Sequence, residues 1–193
     1  MNEVLTKTLQ LFEQEVSGDL IEALVQEGAF VWKSALPPVW SDALLNHALE
    51  QESEFKRARV GLSNGAQVNS ELRRDQTKWW DLNALSDVES QVLTFLSAIK
   101  EACNRELYLG LQSFEGHYAI YDRGAFYKTH LDRFRSDDAR TLSIVLFLND
   151  QWRENEGGEL KFTNSRKQLS KITSIIRILL LLLKRSLLNL IIS

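Results

Sequence analysis

Apolar positions in the first thirty residues recur at helical spacing. Val4, Leu5, Leu9, Leu11, Phe12, Val16, Leu20, Ile21, Leu24 and Val25 predict a helix over 3–29. Ser17-Gly18-Asp19 divides it, with Asp19 as a candidate N-cap for the second piece. Phe30 to Trp32 reads as a short strand, and Leu36-Pro37-Pro38 as a turn. Ser41 then caps a helix over 42–51. Asn64-Gly65 marks a loop over 61–67, and 75–80 reads as extended. Ser86 followed three residues later by Glu89 is a capping box, opening a long amphipathic helix to about residue 105.

Beyond that helix the texture changes. Residues 107–120, 127–132, 141–148 and 159–162 are short, aromatic and β-branched, divided by Gly- and Asp-containing turns. Helices first and strands afterwards predict an α+β fold, with a sandwich or jelly roll in the second half.

Composition adds one sharp break. The 193 residues are 44% hydrophobic and 25% charged, with a net charge of −3, which suits one soluble globular domain and argues against nucleic-acid binding. From Leu160 to Ser193, however, there is no Asp or Glu, seven Lys or Arg, and sixteen Leu or Ile among 34 residues. The chain before it carries 16 basic and 26 acidic side chains, a balance of −10. The division is therefore 1–162 as the domain and 163–193 as an atypical basic, Leu/Ile-rich tail. That tail has no turn residues and no alternation, so it does not read as further strands. Its apolar run from Ile178 to Leu183 is also far short of the roughly 20 residues of a membrane span. A shift of the gene's reading frame between about 162 and 171 accounts for this composition; a membrane-surface helix is the other reading. The acidic N-terminus has no apolar core of signal-peptide length, and the single Cys103 fits a reducing compartment, so a cytoplasmic location is expected.

The chemistry sits in YDRGAFYKTHLDRF, Tyr121 to Phe134. On a strand His130 and Asp132 share a face, so both are candidate metal ligands. Around them runs an ordered series: Y-x-x-G-x-x-Y-x-x-H-x-D, then R-x-L-S from Arg140, L-N-x-x-W ending at Trp152, and G-G-E-L at Gly157. Upstream lies RRDQTKWWDLN from Arg73. With this series the chain resembles the 2-oxoglutarate- and Fe(II)-dependent dioxygenases, in their prolyl 4-hydroxylase-like branch.

The resemblance implies N-terminal helices packed on a double-stranded β-helix, or jelly roll, whose last strands are missing here. It implies Fe(II) held by His130 and Asp132, 2-oxoglutarate as cosubstrate, L-ascorbate as an accessory reductant, and O2. Tyr121 and Tyr127 match aromatics that line the cosubstrate pocket; core strand aromatics are the other reading for each. Arg140 matches a position that meets the substrate backbone, or is a solvated strand-end arginine. Phe147 stands where close relatives carry a tyrosine. The implied activity is hydroxylation of a protein side chain, most simply a prolyl residue, with a protein or peptide as partner and no membrane. Two expected groups are absent. The three histidines are His47, His117 and His130, so none follows Asp132 to complete the iron triad. No tail Lys or Arg stands in the context of the family's cosubstrate-binding residue. An oxygenase-derived binding module without turnover and a tail-anchored protein are therefore the alternatives. The five tryptophans and Cys103 are expected in the core, and His47 and His117 in structural or exposed places.

Overall fold

The computed structural model describes residues 2–60, 67–130, 142–149, 160–163, 169–172, 178–183 and 190–192. Among these, α1 spans Glu3–Leu11, a π-helical turn spans Phe12–Val16, and α2 spans Ser17–Gln26. The predicted break at Ser17-Gly18-Asp19 is instead this widened turn, in which the Ser17 amide reaches back to the Phe12 carbonyl and the Ser17 hydroxyl bonds the Glu13 carbonyl. The extra residue lets Phe12 and Leu20 both face inward, where both are buried.

Strand β1 (Ala29–Lys33) follows, then α3 (Pro38–Glu50), which starts earlier than the Ser41 cap predicted. Pro38 occupies the first helical position, where a missing N–H costs nothing and a fixed φ suits the helix. The Ser41 hydroxyl instead bonds back to the carbonyls of Pro37 and Pro38 inside the helix. A short 3-10 turn (Glu52–Glu54) leads to β2 (Lys56–Arg57) and β3 (Gln76–Trp79).

The capping box opens α4 (Asp87–Leu107) as predicted, with both reciprocal bonds formed between Ser86 and Glu89. Helix α4 ends on Tyr108 in a left-handed conformation, so the strand predicted over 107–120 is only β4 (His117–Ile120). Strands β5 (Tyr127–His130), β6 (Leu142–Leu146) and β7 (Leu160–Thr163) fall in the predicted places. The tail departs from expectation, contributing β8 (Leu169–Ile172), β9 (Ile178–Leu183) and β10 (Leu190–Ile192). Strand β9 is the continuous apolar run of the tail.

The strands form three antiparallel sheets ordered β1-β9-β6, β5-β10-β7-β8 and β2-β3-β4. In the first, β9 is central: Phe30 of β1 and Ile144 of β6 both pair with Leu181. Phe30 and Trp32, with Leu142, Ile144 and Leu146, alternate along their strands and pack on the helical core. The matching stripe of α4 is Val92, Phe95, Leu96, Ile99, Ala102 and Cys103, at spacings of three and four. Phe95 anchors an aromatic cluster with Phe12, Trp32 and Trp40, ring centres 5.7–6.2 Å apart. Cys103 lies in the core as expected, and burial pushes its thiol up to about 11. Trp79 does not: it is 52% exposed and lies against His117, ring centres 4.7 Å apart. Its strand pairs at the sheet's Trp79–His117 end, where the next residue's amide bonds Gly116 and the indole is left outside. No described helix is long and apolar enough to cross a membrane.

Candidate active site

The stretch before β3 bridges two other parts of the chain. Arg73 forms an antiparallel bridge with Tyr127, and two flanking hydrogen bonds support it. The Arg74 amide donates to the Phe126 carbonyl and the Lys128 amide to the Leu72 carbonyl, each at 2.8 Å. On its other side β3 pairs with β4, Gln76 opposite Ile120. Asp75 and Tyr121 adjoin that pair, which ends the register. Arg73 and Asp75 are two apart in an extended chain and so share a face. Arg74, on the opposite face, lies over the Phe126 ring at 4.8 Å.

These placements make a buried cluster. Arg73 grips Asp75 with two parallel bonds, Nε to Oδ1 at 2.8 Å and Nη2 to Oδ2, the fork geometry that suits a guanidinium and a carboxylate. Asp75 is 1% exposed, so its charge has to be met by protein groups. The Arg73 guanidinium also lies 4.1 Å over the Tyr127 ring. Burial works to lower the pKa of Arg73, but the hydrogen bond and charge of Asp75 outweigh it and hold the guanidinium firmly protonated. Burial first, then the nearby Asp75 charge, push the ionisation of the Tyr121 hydroxyl well above the ordinary phenol range.

The structure thus brings Tyr121 and Tyr127 into one cluster, with Tyr127 on β5, the strand that also carries His130. His130 pairs in register with Leu190 of β10. Asp132, Arg140, Trp152 and the Gly157-Gly158 turn lie outside the described residues. Arg73 and Asp75 were assigned no role by sequence. The usable signal was an arginine and a carboxylate two apart in an extended segment, which must point the same way. As for the metal, a non-haem iron triad needs two imidazoles and a carboxylate. The chain offers His130 and Asp132 and no histidine after them, so its own donor set does not fill a triad. Among the described residues, no three His, Cys, Asp or Glu side chains are grouped to hold a metal ion.

A second polar cluster lies between α3, β4 and α4. Glu89, 4% exposed, accepts from the Ser86 amide and hydroxyl at 2.8 Å each and from the Tyr118 hydroxyl at 3.0 Å. His47 Nε2 stands 3.5 Å from the same carboxylate. Burial alone would raise the Glu89 pKa, but the bonds from Ser86 and Tyr118 and the nearby His47 hold it below the ordinary value. Burial and the Glu89 charge conversely raise Tyr118. A cleft of about 370 Å³ opens beside this cluster, lined by His47, Gln51, Lys78, Trp79 and Glu89 among others. Of the predicted site residues whose side chains are described, neither Tyr121 nor Tyr127 lines it. It is a structural junction, with His47 in the structural role expected of it.

Comparison with known proteins agrees with this architecture. The family model described as the 2OG-Fe(II) oxygenase superfamily matches residues 116–181, which include both tyrosines and His130. No curated protein sequence matches the chain significantly. Among solved structures, a Pseudomonas putida prolyl-4-hydroxylase is 28% identical with a TM-score of 0.81, over 92% of this chain and 91% of that one. A Trichoplax adhaerens prolyl hydroxylase, solved with a hypoxia-inducible-factor peptide fragment, is 20% identical with a TM-score of 0.77 over 98% and 85% of the two chains. A viral collagen prolyl hydroxylase from Paramecium Bursaria Chlorella virus-1, solved with 2OG, is 16% identical with a TM-score of 0.56 over 86% and 94%. Fe(II) and 2-oxoglutarate are the cofactor and cosubstrate of this family, and its members are oxidoreductases. By motif order, by the family-model match over residues 116–181 and by fold, the chain is similar to the 2-oxoglutarate- and Fe(II)-dependent oxygenases, and among them to a prolyl-4-hydroxylase.

Proposed function

We propose that this chain is built to dock a protein or peptide and hydroxylate a side chain of it, prolyl in type, with turnover crippled by the missing second histidine. The observation that carries the proposal is likeness to the Pseudomonas putida prolyl-4-hydroxylase along nearly the whole length of both chains. The cluster of Tyr121 and Tyr127 beside the strand of His130 supports it, since phenols there can donate to a carboxylate ligand. The peptide bound by the Trichoplax adhaerens enzyme supports a peptide as the partner class. His130 and Asp132 are the ligands we assign, and Arg140 the residue that meets substrate. A cytoplasmic location belongs to the same proposal and rests on the single, buried Cys103.

The absence of any histidine after Asp132 favours one further reading, a binding module that keeps the peptide surface and has lost turnover. Fe(II) titration of the purified chain separates the two. The proposal expects iron binding much weaker than micromolar and only a trace of succinate release dependent on 2-oxoglutarate, raised by added imidazole. Micromolar iron binding with brisk succinate release would show that the site is not crippled. No succinate with or without imidazole, in a chain that still binds a prolyl peptide, would select the binding module.

A further inference from the structure

The segment Arg73–Asp75 carries none of the residues that the family motif assigns to iron or cosubstrate, yet it is bonded to the strand that carries His130. Three observations converge on it. Its backbone is stitched to residues 126–128, the start of the strand that carries His130. Its two charged side chains are locked to each other in a buried fork. Each of them also lies by one of the two phenols: Arg73 covers the Tyr127 ring, and Asp75 and Tyr121 adjoin the Gln76–Ile120 pair that ends the β3–β4 register.

We propose that Arg73 and Asp75 are positioning residues for the two cosubstrate-pocket tyrosines, Asp75 fixing the hydroxyl of Tyr121 and Arg73 the ring of Tyr127. This rests on the reading of Tyr121 and Tyr127 as cosubstrate residues. A phenol has one O–H to donate. While Tyr121 spends it on Asp75, that hydroxyl cannot also donate to a carboxylate. Engagement of 2-oxoglutarate by Tyr121 therefore requires exchange of the Asp75 bond, and Asp75 sets the resting position from which exchange occurs. Gln76 Nε2 to Asp122 Oδ2, 3.2 Å, steadies the same strand end just after Tyr121.

The test labels the four tyrosines of the full chain with 3-fluorotyrosine and reads them by fluorine NMR, with Tyr121→Phe and Tyr127→Phe assigning the two resonances. Removing a like charge beside a phenol shifts its ionisation by about one pH unit or more, tenfold in the acid constant. Asp75→Asn is therefore expected to bring the Tyr121 midpoint down by about that much while exposed Tyr108 stays fixed. Arg73→Gln is expected to move the Tyr127 resonance, and Arg73→Lys to restore part of that shift. An unmoved Tyr121 midpoint in folded Asp75→Asn would overturn the proposal. Should that variant not fold, Tyr121→Phe decides: its loss of the Asp75 bond must move the Tyr127 resonance through the shared Arg73–Asp75 pair, and an unmoved resonance overturns the proposal. A separate arm adds 2-oxoglutarate with Mn(II) to the parent chain. If neither tyrosine responds there, the cosubstrate reading fails while the Asp75 and Arg73 results still decide the positioning.

Discussion

Replacing Glu89 by alanine tests the junction of α3, β4 and α4. The carboxylate receives three bonds of 2.8–3.0 Å, from the Ser86 amide, the Ser86 hydroxyl and the Tyr118 hydroxyl. Each bond to a charged group is worth about 1.5–3 kcal/mol, and the buried Tyr118 hydroxyl left behind costs about 1–3 kcal/mol. Relief of the carboxylate's own desolvation returns several kcal/mol, so the gross sum overstates the loss. The expected net destabilisation is about 3 kcal/mol, of which about 1 belongs to the capping box. Urea unfolding read by tryptophan fluorescence measures it. The pH dependence carries a sign of its own. Because folding holds Glu89 below its ordinary value of 4.5, its contribution is fully present above that pH and is lost as pH falls through the folded value. Glu89→Gln is expected to lose about 2 kcal/mol at neutral pH and to show a flatter acid limb than the parent. An alanine variant within about 0.5 kcal/mol of the parent would refute the reasoning, because such a loss is typical of featureless surface sites.

Three more outcomes are expected. Phe12→Ala, at 1% exposure between Trp32 and Phe95, should cost about 3–5 kcal/mol in the same urea experiment. Cys103, buried with its thiol raised to about 11, should react with a disulfide reagent at pH 8 only as fast as the fold opens, and at once in urea. Trp40→Ala should cost about 3 kcal/mol or more, losing core packing and the bond from Nε1 to Gln91; Trp79→Ala, half outside, should cost under about 1 kcal/mol.

Local chemistry was legible wherever it is contained within a few residues. Ser86 and Glu89 announce a capping box because both partners lie three apart, and Phe30 to Trp32 announce β1. The helix start at Pro38 was harder, since Pro-Pro signals a turn and a first helical position alike. The π-helical turn left no composition signal; the need to bury both Phe12 and Leu20 decides it. Five tryptophans read alike in sequence, but Trp79 sits where a sheet's pairing ends. At the candidate site, motif order singled out Tyr121, Tyr127 and His130. The burial of Asp75 was not, because it depends on Tyr121 and Tyr127 arriving from beyond α4. The pairing of Ile178–Leu183 was not legible for a related reason: its partners, β1 and β6, are distant in sequence.

The central place of β9 has a bearing on how this molecule comes to exist. The helices α1, α2 and α3 all pack on α4, which is complete by Leu107. Strand β1 is made early and β6 later, yet neither finds its partner until Ile178 to Leu183 arrive, after every helix and the strands β2 to β8. Pairings so distant along the chain are slow, because the closing loop costs entropy before any bond repays it. Meanwhile the edges of β1 and β6 that pair with β9 stay open. Until Ile178–Leu183 have been made, those edges are places where the unfinished chain can pair with another copy of itself.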